Sequence, residues 1–190
     1  MKKIFSILII AFIVINSFAQ STWKADPMHS KLTFTVIHLG ISDIFGLFQK
    51  FDVTVTALQP DFSDGVFELS TDVASINTEV KMRDDDLRSS RFFDVEQYPK
   101  MTFKSNSINK LGKNRYKLSG DLTMHGITKP VTMEIWFRGT VNDPHSKKEK
   151  CGFQLIGTLK RSDFNIGPTF PVIEIGDVVR IVGDGEFFKL

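Results

Sequence analysis

The chain has 190 residues, 42% of them hydrophobic and 24% charged, which suits one domain with a substantial core. Its 24 basic and 22 acidic residues leave a formal charge of +2, so no large field of one sign is present to attract nucleic acid or an anionic membrane. A single cysteine, Cys151, excludes an internal disulfide, and 18 phenylalanines against 2 tyrosines point to a large interior lined by apolar rings without polar handles.

In chain order, Lys2 and Lys3 precede an apolar run from Ile4 to Ile15. Ser17 and Ala19 then place small residues at the −3 and −1 positions of a cleavage site. This is the pattern of a secretory signal peptide, residues 1–19, cleaved after Ala19. A retained anchor needs a span of roughly 20 apolar residues, and no Cys follows the run to accept a lipid. Cleavage removes Lys2 and Lys3 and so levels the basic residues with the 22 acidic ones. The mature domain, residues 20–190, is therefore expected in the periplasm or secreted, held together by packing and hydrogen bonds without a disulfide.

Trp23 to Ser30 reads as a lead-in. From Lys31 to Leu39 the chain alternates, with Leu32, Phe34, Val36 and His38 on one face. Gly40 and Gly46 bracket a short linker. In the second strand Phe51, Val53, Val55 and Ala57 share a face; Phe48 has the wrong parity for it, which predicts a bulge near Gln49-Lys50. Phe67, Leu69, Thr71 and Val73 mark a third strand after the turn from Pro60 to Gly65.

Glu79 to Ser105 is the most charged part of the chain, and its first half lacks β alternation. It predicts a helix of about three turns, followed by adjacent Phe92 and Phe93, which read as a lid or plug. Met101, Phe103 and Ser105 then begin the next strand. Tyr116, Leu118, Gly120, Leu122 and Met124 share a face beyond a turn at Lys110–Asn114. His125 to Pro130 reads as a second hairpin turn. Val131, Met133, Ile135 and Phe137 then face opposite to Thr132, Glu134, Trp136 and Arg138. Asn142 to Lys150 is a long polar loop, Phe153, Leu155 and Leu159 form a strand, and Arg161 to Gly176 reads as an irregular flap. Val178 to Phe188 is the last strand.

This makes an all-β chain with one short helix. Hairpin spacing and alternation predict an eight-stranded antiparallel β-barrel of the kind that holds one small ligand; a packed β-sandwich is the alternative. Exposed strand edges leave a homodimer open.

The chemistry-bearing motifs are few. No Gly-x-Ser-x-Gly elbow, Walker-type loop, Cys-x-x-Cys or His-Glu-x-x-His occurs. None of His29, His38, His125 and His145 has a ligand spacing to another His or to Cys151, so no metal and no cofactor are expected. Asp84-Asp85-Asp86 lack the alternation and Gly of a calcium loop and read as a solvated helix face pairing with Lys81, Arg83 and Arg88. His38, on the Phe34 face, reads either as a polar group gripping a ligand head or as a hydrogen-bonded strand-end residue. His29, beside Asp26 and Ser30, reads as a local hydrogen-bonded turn.

Several stretches together resemble one known family. They are Asp26-Pro27-Met28-His29-Ser30, Phe34 to Gly40, Gly46-Leu47-Phe48, Arg83-Asp84-x-x-Leu87-Arg88-Ser89-x-x-Phe92-Phe93-Asp94, Tyr98-Pro99, Phe103-Lys104-Ser105, Leu122 to Pro130 and Arg161-Ser162-Asp163-Phe164. In this order, over Trp23 to Leu190, the chain resembles the YceI-like family of exported, lipid- or polyisoprenoid-binding proteins. Two departures are local: Asp86 stands where a His is common, and Asn142 to Lys150 lacks a Gly/Trp-rich turn.

The resemblance implies a lipocalin-like barrel holding an amphiphile such as a polyisoprenoid, an isoprenoid quinone or a fatty-acid derivative. The candidate ligand wall is Phe34, Val36, His38, Phe48, Phe92, Phe93, Phe103 and Trp136, with Asp26, His29 and Arg83 as head-group contacts. A non-enzymatic carrier is the expectation. An enzyme working through His38 or His29, and a ligand-free structural or stress protein with a filled barrel, are the rivals.

Overall fold

The computed structural model describes residues 19–190; the expected leader up to Phe18 lies outside the described residues. The strands are β1 (Ser21–His38), β2 (Ser42–Phe48), β3 (Phe51–Ala57), β4 (Val66–Asp72), β5 (Ile76–Asn77), β6 (Lys100–Gly112), β7 (Arg115–Met124), β8 (Ile127–Asn142), β9 (Glu149–Lys160) and β10 (Ile175–Lys189). One helix, α1 (Lys81–Arg88), and two 3-10 turns (Val73–Ser75 and Arg161–Phe164) complete the described elements.

Eight strands in the order β10-β9-β8-β7-β6-β4-β3-β1 form the barrel, and antiparallel pairing of β1 with β10 closes it. β1 is long because one edge serves two partners. Its start pairs with β3, Ser21 opposite Ala57, and its end pairs with β2, Leu32 opposite Phe48. β2 and β3 thus act as one strand broken at Gln49-Lys50. The break is where parity predicts it, since Phe48 is buried and Phe51 also lines the interior. Ser75 fills the gap: its carbonyl accepts from Gln49 N, and its hydroxyl accepts from Lys50 N.

Four expectations are corrected. Trp23 to Ser30 is not a lead-in but the first half of β1, interrupted by a bulge between Ala25 and Ser30 in its pairing with β10. Gly46 lies inside β2, where a Cβ would strike the Phe34 ring, so its role is close approach rather than a linker. The β7–β8 turn is only His125-Gly126, both at positive φ (51° and 71°), as a two-residue hairpin of primed type requires. The helix is eight residues long, about two turns rather than three. It ends at Ser89, whose extended backbone breaks the helix and whose N–H donates to Asp86 O, and the adjacent rings of Phe92 and Phe93 follow. Leu87 O and Arg88 O then accept from Phe93 N and Val95 N.

The barrel has two unlike ends. The end near the termini is packed solid by rings: Phe62 lies 4.9 Å from Phe137 and 5.0 Å from Phe153, and Trp23 lies 5.5 Å from Phe62 between centroids. The other end carries α1, the Phe92-Phe93 segment and the chain from Arg161 to Glu174.

Candidate functional site

Inward alternation from nearly every strand leaves a cavity of about 210 Å³ that runs from beneath α1 to the rings of Phe67 and Phe153 at the closed end. Its surface is almost entirely carbon. An apolar cavity of roughly 150 Å³ stays dry and takes a hydrocarbon guest, so this one has the chemistry of an apolar binding site rather than a water site.

Six of the expected wall residues line it: Phe34, Val36, Phe48, Phe92, Phe93 and Phe103. Two of them depend on glycines for their positions. The Phe34 ring lies on Gly46, and the Phe103 ring lies on Gly120, where a Cβ would approach it to 2.7 Å. Phe34, Phe48 and Phe93 form a chain of edge contacts, with centroid separations of 5.8 Å and 6.2 Å. Phe93 is half-buried, and its ring lines the cavity. Phe92 is fixed: it is 5% exposed, packs on Gly167 and stacks on Phe170 at 4.8 Å. The adjacent rings therefore do different work, one pinning the segment to the flap and the other facing the cavity.

Other lining residues follow from the same parity. Leu32, Val53, Leu69, Leu155, Leu159 and Val179 each share an inward face with a residue already singled out. Being aliphatic, they lack the ring size by which the candidate wall stands out in the sequence.

The remaining expected residues lie elsewhere. Trp136 is on the outer face, under the guanidinium groups of Arg115 and Arg138 at 5.0 and 4.9 Å, so it is not part of the wall. Its parity opposite to Ile135 and Phe137 already carried that signal. His38 is exposed at the end of β1 and is not among the lining residues. Arg83 turns back onto its own segment, donating to Thr78 Oγ1 at 2.7 Å and Thr78 O at 2.8 Å.

Asp26 and His29 occupy the β1 bulge on the outer surface. His29 Nδ1 lies 2.8 Å from Asp26 Oδ2, and that hydrogen bond is the main reason the Asp26 carboxyl sits below its ordinary range. Asp26, His29 and Glu186 are close enough together to hold a cation. The Lys150 ammonium already fills that role, 3.0 Å from Glu186 and 3.3 Å from both Asp26 and Asp143. Glu186 foremost raises the Lys150 pKa, while the backbone N–H groups of His145 and Ser146 foremost lower that of Asp143. The cluster is a self-neutralised surface network.

The acidic run on α1 is only partly a solvated face. Asp85 pairs with Lys81 and Arg88, and Asp86 pairs with Arg91. Asp84 is buried, accepting from Thr78 N at 2.8 Å and from Thr78 Oγ1 at 2.6 Å. Arg88 donates to Ala74 O and Ile76 O, tying the helix to the barrel rim. These contacts position the Phe92-Phe93 segment.

Arg161, quoted only as part of a motif above, proves to be the hub of the flap. It is 8% exposed, and its guanidinium donates to the carbonyls of Ile166, Gly167, Phe170, Ile175 and Gly176 at 2.7–3.3 Å. All of its donors point at backbone, so Arg161 borders the cavity without offering it a hydrogen bond. Cys151 is buried, and burial pushes its thiol well above its usual range, which keeps it protonated.

Comparison with known proteins places this geometry. A YceI-like domain matches over residues 23–187. "Protein YceI" of Salmonella enteritidis is 36% identical over 166 residues, covering 84% of this chain and 86% of that protein. The Burkholderia cenocepacia BcnA crystal structure superposes with a TM-score of 0.76 at 27% identity, covering 85% of this chain and 98% of that one. A polyisoprenoid binding domain from Saccharophagus degradans, implicated in plant cell wall breakdown, superposes with a TM-score of 0.66. At 14% identity, covering 87% of this chain and 97% of that one, it shares the fold alone.

Proposed function

This chain belongs to the YceI-like family, and from that premise we propose that it is a non-enzymatic carrier holding a lipid-like amphiphile in its barrel. The observation that carries the reading is the nearly all-carbon cavity walled by Phe34, Phe48, Phe93 and Phe103. Burial of a hydrocarbon chain supplies the affinity, at about 0.8 kcal/mol per methylene before ordering costs. The cavity equals about seven times the ~30 Å³ share of one liquid water. That receives part of a chain as it stands, and a longer one when flexible walls such as Phe93 and Met133 turn aside. A prenyl chain suits it because methyl branches fill the gaps between rings; the Saccharophagus domain of the same fold is described as polyisoprenoid-binding.

A carrier is favoured over an enzyme by the placement of the polar groups. His38 and His29 lie outside the cavity, and the thiol of Cys151 is buried and protonated. A general base must reach the proton it removes, and neither histidine borders the space where the chain would lie. The cavity also separates this reading from that of a ligand-free barrel, whose interior would be filled by side chains at both ends. The same proposal places the mature protein in the periplasm or outside the cell, after cleavage following Ala19.

Organic extraction of the folded protein followed by mass spectrometry tests the carrier reading. An amphiphile at near-stoichiometric yield is the expected result. Its absence, together with no rise in melting temperature on adding prenyl alcohols or fatty acids, overturns the reading. The intact mass of the protein from the periplasmic fraction tests the cleavage site.

A further inference from the structure

The barrel wall is split between β8 and β9. β8 and β9 pair from Asn142 opposite Glu149 up to Glu134 opposite Ile156, and no pair beyond that occurs among the described residues. Both strands nevertheless run on toward the cavity end. β8 stays paired with β7 down to Ile127, and β9 stays paired with β10 up to Lys160. Their facing edges therefore diverge and leave unpaired backbone on both sides. Pro130, which has no N–H to give and belongs at strand edges, lies in this part of β8.

What closes the split is side chain rather than ladder. The 3-10 turn Arg161–Phe164 packs against β8, β9 and β10. Phe164 is 1% exposed, its carbonyl lies 3.1 Å from His125 Nδ1, and Ser162 is tied to Asp177 through both its N and Oγ at 3.0 Å. Met133 lies over Gly157, where a Cβ would come within 2.7 Å of Met133 Cγ. Outside this plug is a second hollow of about 420 Å³, which shares Leu159 and Lys160 with the lining of the barrel cavity. Met133, Val131, Leu159 and the buried ring of Phe164 lie along this seam between the two spaces.

The outer hollow differs in chemistry from the inner one. It is lined by Lys129, Lys160, Thr132 and Thr158, with Asp163 as its one carboxylate. Neither lysine is in an ion pair among the described residues. Asp177 also lies near enough to Lys160 to feel its charge and is held by Ser162; the two ammonium groups, beside hydroxyls and unpaired strand edges, are the groups left to meet an anion. A carbon-walled cavity adjoining such a hollow matches a molecule with an apolar chain and an anionic head.

We propose that the β8–β9 split is a lateral port at which the anionic head group of the bound amphiphile, a phosphate or carboxylate, rests between Lys129 and Lys160 while its chain lies in the barrel. This rests on the carrier reading and adds to it where the head is held and by which charges. It also gives Met133 a function, since an unbranched side chain over a glycine yields to a passing chain at little cost.

The test compares farnesyl monophosphate with farnesol, which has the same chain and no charge, on the full mature protein and on Lys129→Gln/Lys160→Gln. Both lysines are exposed, so the double variant keeps the fold. The unaltered protein is expected to bind the phosphate about tenfold more tightly than the alcohol, and the variant to reduce that preference to about twofold or less, with farnesol affinity unchanged. An undiminished preference in the variant overturns the port, as does binding of farnesol with no preference at all; both leave the carrier reading standing. Binding of neither compound overturns both. Inorganic phosphate alone is expected to leave the melting temperature unchanged, and protection equal to that by farnesyl monophosphate marks a simple anion site and overturns the assignment to a lipid head.

Discussion

The two ends of the barrel use the same residue type for opposite purposes. At the closed end Trp23, Phe62, Phe67, Phe137 and Phe153 are all buried and meet ring against ring. Their polar handles are satisfied: Trp23 Nε1 donates to Ser21 Oγ at 3.0 Å, and Tyr116 Oη donates to Asp61 O at 2.7 Å. At the cavity end Phe34 and Phe93 are only half-buried, and Thr71 Oγ1 is fully buried without a hydrogen-bond partner. Dense packing gives stability, and a binding cavity requires that some of it be forgone. One end thus holds the barrel shut while the other stays adaptable.

Variants that probe each end separate the two roles. The largest effect is expected for Phe62→Ala, which empties the centre of the closed end and should cost about 3–5 kcal/mol in chemical denaturation. A loss as small as that at the cavity end would erase the distinction. Arg161→Met comes next, because it strips the donors from five flap carbonyls, at a cost of about 2–3 kcal/mol. Hydrogen exchange should rise most in residues 165–174, and uniform exchange across the barrel would deny Arg161 its place as the flap's hub.

Phe93→Asp should lower stability by only about 1 kcal/mol yet weaken retention of a bound amphiphile by about tenfold or more. Circular dichroism and extraction yields read the two quantities separately, and unchanged retention would reduce the segment to a plug. The smallest change is expected at Thr71→Val. It replaces an unsatisfied buried hydroxyl by a methyl of similar volume and should raise stability by up to about 1 kcal/mol. A destabilised Thr71→Val would reveal a hydrogen bond at that hydroxyl.

Much of this was legible because β alternation is a local signal. The inward faces of β3, β4, β6, β7 and β8, and the break at Gln49-Lys50, follow from counting by twos along the chain. Phe34 and Phe103 share such faces, whereas Phe48, Phe92 and Phe93 stood out as rings beside a parity break and a charged helix and through the family resemblance. Trp136 was misplaced by favouring ring size over parity, although its neighbours Ile135 and Phe137 alternate against it. Arg83 and the acidic run were misjudged differently: a charged helix reads as solvated until tertiary contacts bring Thr78 beneath Asp84.

The sequence by itself determined the class of fold, the number of strands that close the barrel, most inward faces and the presence of a charged helix before two adjacent rings. Each of these depends on residues close together in the chain. Only the tertiary structure decided which end is filled and which is hollow, that Arg161 holds the flap, and that β8 and β9 part company near Lys129 and Lys160. These depend on how strands distant in sequence are registered and splayed, because a cavity or a seam is a relation between elements that no one strand encodes.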